Sequence, residues 1–408
     1  MAITILKEPS NYWPICNDVE WNFDSTNFTQ TNFSFVVELY INASLHSTHE
    51  VYPEAGGSGK FNISTIGRAV VTSTICSEGV LSAETYSNDT FRLKIYEKYG
   101  AVPVIYLASA VDSSLLVFIN GAFRFEELYV NQYDYEDYSI DDGIDRLFLT
   151  DWPRAKRDLV AYNEGKFLSI IDPGKLHLLR GYVKLYDINN TLIASANWTI
   201  SSNFVVPMSS VGPANLVFYT TLNQVDFDNC YYYTIQLKND TTPLKYSEEY
   251  KIYYDTSCSS YDRMRLHWMN RFGAWDSFTF SLLHEHSTDI ASNRYTRSTG
   301  RWALKEGVDY VYNRNITDGQ QMTMSKFMTD KLILNSDWIH EDVQQWLVRS
   351  LYESPRVYLE TESGQTATRY EPVNVTNANY ILKQRRRYGL MQELVQIERT
   401  YTKVSQLG

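Results

Sequence analysis

His284 and His286 flank Glu285, and in an extended segment two imidazoles at this spacing share one face, which suits a pair of metal ligands. The sequence offers no third ligand at a recognisable spacing and no helical His-Glu-x-x-His, so the pair reads as part of a surface strand. The run Tyr133-Asp-Tyr-Glu-Asp-Tyr-Ser-Ile-Asp-Asp-Gly143 is acidic but departs from the calcium-loop pattern of alternating ligands, central glycine and terminal glutamate. It reads as an exposed connector, with Gly143 and Pro153 suited to a linker. Gly56-Gly-Ser-Gly59 lacks the Gly-Lys-Ser/Thr ending of a phosphate loop, and the Gly-x-Ser-x-Gly nucleophile elbow is absent. With 48 acidic residues, no carboxylate pair for glycoside hydrolysis can be singled out. Cys16, Cys76, Cys230 and Cys258 are too far apart for a zinc or redox motif and are expected to be thiols. The expectation is a protein without catalytic residues, cofactor or metal.

The elements that would position any site are β-strands. The 408 residues include 32 Tyr, 18 Phe and 9 Trp, with 44% hydrophobic and 21% charged residues, a composition that excludes global disorder and suits pleated surfaces. That length exceeds one ordinary core. A net charge of -11 argues against a nucleic-acid partner, which needs a basic face, and the one basic run, Lys383-Gln-Arg-Arg-Arg387, is short. No window approaches the roughly 18 apolar residues of a membrane span, and the first residues lack the pattern of an export signal, so neither a membrane nor export is expected. Asn-x-Ser/Thr triplets such as those at Asn27, Asn62 and Asn197 follow from a chain rich in these residues.

Short extended runs at Phe33–Ile41, Gly59–Ile63 and Thr90–Tyr96, separated by turn residues, predict a first β-sandwich over residues 1–125, with a brief helix near Ile66–Val71. The acidic Tyr/Asp-rich connector covers 126–162. A comparable order recurs at Gly181–Asp187, Leu192–Ile200, Tyr231–Leu237 and Glu249–Tyr254 around a turn at Asn189-Asn190, which predicts a second sandwich over 163–295 and suggests duplication. Residues 296–408 read as a smaller α+β unit. There Ile339, Val343, Trp346, Leu347 and Leu351 make one helical face, with Ser336 or Asp337 as the cap and Ser354-Pro355 as the stop. The expected fold is mainly β: two tandem immunoglobulin/fibronectin-III-like β-sandwiches followed by the α+β C-terminal domain.

Within 163–295, Arg265–Met269 alternates large side chains, Asn270–Gly273 supplies turn chemistry, and Trp275, Phe278 and Phe280 resume an aromatic extended run. This predicts a hairpin built on Trp268, Asn270, Gly273, Trp275 and Asp276, with Gly273 at positive φ. Its core, Leu266-x-Trp268-x-Asn270-Arg271-Phe272-Gly273-x-Trp275-Asp276, resembles β-rich structural proteins of tailed bacteriophages, in particular tail and neck proteins of crAss-like phages. The resemblance extends more weakly over Trp13–Tyr106, Phe118–Phe125 and Trp338–Glu398.

This resemblance implies a non-catalytic virion structural protein of the tail or neck, assembled in the bacterial host cytoplasm as a ring of copies that contact other tail and neck proteins. In such a ring each copy presents two complementary faces. The C-terminal strands are candidates for β-augmentation between copies. Trp346 is a candidate for burial or for an interface anchor, and Arg385, Arg386 and Arg387 for pairing with a neighbour's acidic connector. The alternative is a carbohydrate- or receptor-binding module using exposed Trp268, Trp275 and Trp302 as a stacking platform.

Overall fold

The computed structural model describes residues 3–71, 75, 82–84, 90–130, 135–140, 144–172, 179–200, 205–239, 246–257, 260–298, 300–305, 309–314, 320–361, 370–376 and 389–404. The protein is mainly β, built from several antiparallel-rich sheets.

In the N-terminal part, a three-stranded sheet of Ile3–Lys7, Glu20–Ser25 and Ser58–Asn62 accompanies a larger sheet. The larger sheet orders Trp13–Pro14, Leu116–Ile119, Thr90–Tyr99, Ser34–Ile41 and Ser44–Val51, with Val104–Asp112 also pairing Thr90–Tyr99. Period-two burial drives the packing: in Glu20–Ser25 every second side chain is buried, which turns Trp21 and Phe23 inward. Trp21 meets Phe118 and Phe23 meets Phe35 edge to face, at centroid distances of 5.9 and 4.8 Å. The expected brief helix is present as Ser64–Val70.

The second set of strands forms a five-stranded sheet in the order Leu159–Val160, Tyr250–Tyr254, Tyr232–Asn239, Leu179–Tyr186, Leu192–Ile200. Leu179–Tyr186 alternates strictly between buried and half-buried positions. Gly181 lies opposite Trp198, where a Cβ would come within 2.2 Å of the indole, so the ring crosses the strand only because the residue is glycine.

The largest sheet runs Trp275–Phe280, Met264–Met269, Val357–Glu360, Tyr370–Val375, Leu394–Arg399, Gln321–Asn335, Glu285–Thr296. Three expectations are corrected by it. The hairpin does not complete the five-stranded sheet, because Arg265–Trp268 pairs with Val357–Glu360 and so joins the C-terminal strands. Glu285–Thr296 runs through the expected boundary at 295–296. Leu394–Arg399 already pairs on both sides, with Tyr370–Val375 and Gln321–Asn335, and this leaves it no edge for augmentation.

One apolar cluster crosses these sheets, joining Val183, Tyr233 and Ile252 to Trp268, Leu332, Leu347 and Ile397. The acidic connector is also corrected, since its aromatics outweigh its charges. Tyr135, Tyr138, Phe148 and Trp152 are buried, while Glu136 and Asp137 remain exposed. The C-terminal helix, Glu341–Glu353, buries Val343, Trp346, Leu347 and Leu351 as expected. Its cap is His340, whose Nδ1 accepts from the Asp342 amide at 3.2 Å, and not Ser336 or Asp337.

Candidate functional site

The hairpin turn is fixed by Asn270. Its Oδ1 accepts from the amides of Phe272 and Ala274 at 3.0 Å each, and its Nδ2 donates to the Leu149 carbonyl at 2.8 Å. Gly273 closes the turn at φ +83°. Trp268 and Trp275 on the two strands are 0% and 2% exposed. Trp268 donates Nε1–H to Ser350 Oγ at 2.7 Å and packs at 5.3 Å on Trp346, which meets Trp152 at 4.6 Å. Trp346 is thus enclosed by its own chain, and the interface candidate at that position is withdrawn.

Beneath the hairpin lies a cluster of buried ionisable groups. Lys166 and Asp158 pair at 2.6 Å with almost no exposure, and Tyr250 donates its hydroxyl to Asp158 at 2.8 Å. Arg265 spreads its guanidinium over four acceptors. Nε donates to the Gly165 carbonyl at 2.7 Å, Nη2 to Ser277 at 2.7 Å, and Nη1 to Thr279 at 2.6 Å and Glu164 at 3.3 Å. Arg263 bridges Glu164 and Asp255 at 2.8 and 2.7 Å. His267 meets Glu360 at 2.8 Å, and the Gly165 amide donates to the same carboxylate.

The electrostatics follow from this inventory. Burial raises the Glu164 carboxyl, but Arg265 and Arg263 outweigh it and hold the group below its usual range. Carboxylates outnumber cations in the cluster, and Asp276, buried and with Oδ2 unpartnered among the described residues, is pushed up chiefly by burial. Burial pushes His267 down despite the Glu360 contact. Its Nδ1 has no hydrogen-bond partner among the described residues, so a proton there would be a buried orphan. The cluster ties the 158–166 segment, the hairpin and Val357–Glu360 into one arrangement. Arg263 is its edge, lining two cavities of about 400 and 420 Å³.

The second feature is an arm. Glu285–Thr296 pairs along its whole length with Gln321–Asn335, and the ribbon Gly300–Lys305 with Asp309–Arg314 lies beyond. Eleven of the twelve residues in Glu285–Thr296 are exposed, and the strand spans roughly 40 Å at 3.4 Å per residue. Ile290, Trp302 and Met324 are 60%, 67% and 55% exposed, and Trp302 meets the exposed Tyr312 edge to face at 5.4 Å.

Of the remaining sequence candidates, His284 donates Nε2–H to the Asp262 carbonyl at 2.7 Å, whereas His286 is exposed at the base of the arm. Among the described residues no trio of His, Cys, Asp and Glu is placed to hold a metal ion, and no helix is long and apolar enough to cross a membrane. Arg385, Arg386 and Arg387 lie outside the described residues, as do Cys76 and Cys258, while Cys16 and Cys230 are free thiols. Sequence reasoning missed the buried cluster, and of the arm it read only the surface strand at its start, Glu285-His286.

No family model and no curated protein matches the chain. Among solved structures it is similar to a putative membrane anchored protein from Corynebacterium diphtheriae, at 10% identity and a TM-score of 0.21, covering 63% of this chain and 59% of that one. It is likewise similar to the complex of Dpr2 Ig1-Ig2 with DIP-Theta Ig1-Ig3, at 7% identity and a TM-score of 0.21, covering 82% of this chain and 94% of that one. At such scores neither likeness carries an argument.

Proposed function

We propose that this chain is a structural protein of a tailed bacteriophage virion, a subunit of a ring in the tail or neck that works by protein assembly without catalysis. The observation that carries the assembly part is the arm, which exposes Ile290, Met324 and Trp302 and whose strand Gln321–Asn335 is paired on its other edge with Lys403–Val404 and Leu394–Glu398. Exposed large apolar side chains on a protruding sheet edge mark a surface suited to cover by a partner. The placement in a phage tail or neck rests on the sequence resemblance of the 266–276 hairpin. The charge cluster suits such a subunit, because complementary buried charges fix one relative arrangement of the packed sheets.

Burial of Trp268 and Trp275 takes the hairpin out of use as a glycan platform. Trp302 alone of that set keeps an open face for the alternative of carbohydrate or receptor binding. The test is immunogold electron microscopy with antibody to the purified chain on particles from the source culture. Gold confined to tail or neck is the expected result. Unlabelled particles, with the antibody recognising native protein in the lysate, would overturn the reading.

A further inference from the structure

Lys166 and Asp158 are placed for more than an ion pair. Nζ lies 2.6 Å from Asp158 Oδ2, both side chains are buried, and the Trp152 and Tyr250 rings each stand 5.9 Å from the nitrogen. Backbone hydrogen bonds hold both ends: the Asp158 carbonyl accepts from the Tyr253 amide and the Lys166 carbonyl from the Val211 amide, each at 2.8 Å. Tyr250 donates its hydroxyl to the same Oδ2 at 2.8 Å, which polarises the carboxyl and stabilises charge that develops on that oxygen. A nitrogen this close to a carboxyl oxygen comes within near-attack range of the carbon, about 3–3.5 Å, by a small side-chain rotation. A third carboxyl completes the set. Asp276 is buried, with Oδ2 unpartnered among the described residues. Burial holds its carboxyl toward the protonated form, and it sits close enough to the pair that Lys166 favours its ionisation and Asp158 opposes it. An ion pair alone has no use for such a group, whereas a condensation in a site without water needs one to give and take protons.

We propose that Lys166 and Asp158 condense into an intramolecular amide bond, with the Asp276 carboxyl as proton relay. The pair holds every atom required. A proton passes from the ammonium to the carboxylate, the neutral Nζ bonds to Asp158 Cγ, and one carboxyl oxygen leaves as water. Asp276 gives a proton to the departing oxygen and recovers one from the nitrogen, so it ends unchanged. The ammonium has lost two hydrogens and the carboxylate one oxygen, the two charges have cancelled, and no oxidant, reductant or cofactor takes part. Exclusion of water from the site disfavours the reverse hydrolysis. Asp158 stands at the head of Leu159–Val160 in the five-stranded sheet, and Lys166 at the head of Phe167–Ser169, which pairs with Pro207–Ser210 in a separate sheet. The bond is therefore a covalent staple between two sheets.

The test is peptide mapping of the purified full chain by high-resolution mass spectrometry after denaturation. Trypsin cuts after a free Lys166, so the cross-linked chain is expected to yield residues 158–175 uncut at Lys166 and lighter by one water. Asp158→Asn should form the same bond with loss of ammonia in place of water, a signature that a purely structural ion pair does not produce. Asp276→Asn, with a thermal melt as the folding control, should be cut after Lys166 and keep its full mass. Lys166→Arg should likewise be cut at position 166 with no loss. Cleavage after Lys166 in the folded unaltered chain would overturn the proposal, whether or not any variant folds. Water loss that persists in a folded Asp276→Asn chain would overturn the relay.

Discussion

His267 and Glu360 form a diagonal pair across neighbouring strands: Arg265 is the residue in register with Glu360, and His267, two positions on, reaches back to it at 2.8 Å. One carboxylate thereby serves an imidazole and the Gly165 amide, beside a guanidinium whose Nε lies 3.9 Å away. Removing its charge with Glu360→Gln leaves Arg265 with one partner fewer in a buried site. The expected loss is roughly 3–5 kcal/mol, measured by denaturant unfolding.

His267 gives this site a pH dependence. Its folded pKa lies below the ordinary 6.5, so the unfolded chain takes up a proton that the folded chain refuses. The stability it contributes is complete above about 6.5 and is lost as pH falls toward the folded value. Thermal melts between about pH 8 and pH 5 should show the unaltered chain losing more stability on acidification than His267→Gln.

Asp276 has the opposite sign. Burial raises its folded pKa, so its contribution is present at acid pH and is lost as pH rises through the folded value. Asp276→Asn removes that ionisation. The variant's stability relative to the unaltered chain should rise as pH increases from the ordinary carboxylate value toward the folded one, read from paired melts.

Arg265→Lys tests whether the planar fork matters or only the charge. An ammonium cannot reach the Gly165 carbonyl, Ser277 and Thr279 together, and the deserted acceptors are buried. A loss of about 2–4 kcal/mol is expected in chemical denaturation. A melt unchanged from the unaltered chain would show that charge alone suffices.

Gly273→Ala places a Cβ at φ +83°, and Asn270→Ala strips three hydrogen bonds from the same turn. The glycine change should cost about 1–2 kcal/mol and the asparagine change at least as much. Trp302→Ser on the arm should alter stability by no more than about 0.5 kcal/mol. Differential scanning calorimetry of the three variants checks this ranking.

The hairpin could be read from sequence because its information is local: alternation on both sides of Asn270–Gly273 fixes strand, turn and strand within twenty residues. The helix at Glu341–Glu353 was legible for the same reason, through the spacing of Val343, Trp346, Leu347 and Leu351. The charge cluster was not, since Gly165 and Arg265, or Gly165 and Glu360, lie a hundred or more positions apart, and charged residues ordinarily read as surface. The arm was hidden for a different reason. The reading of His284–His286 as a surface strand caught its start, but with both faces in solvent Glu285–Thr296 has no buried face to impose an alternating pattern that would give its length.

Gln321–Asn335 is one unbroken strand of fifteen residues whose outer part belongs to the arm and whose inner part, Lys331–Asn335, is hydrogen-bonded to Leu394–Glu398 with Leu332 and Leu334 in the core. A pull along the arm therefore meets the pairing of Phe327–Met328 with Lys403–Val404 and then those five registered pairs, all in shear and not peeled apart one by one. Mechanically the arm is a tether rooted in the interior, and tension from a neighbour would pass the exposed Lys403–Val404 strand and enter the core at Leu332 and Leu334.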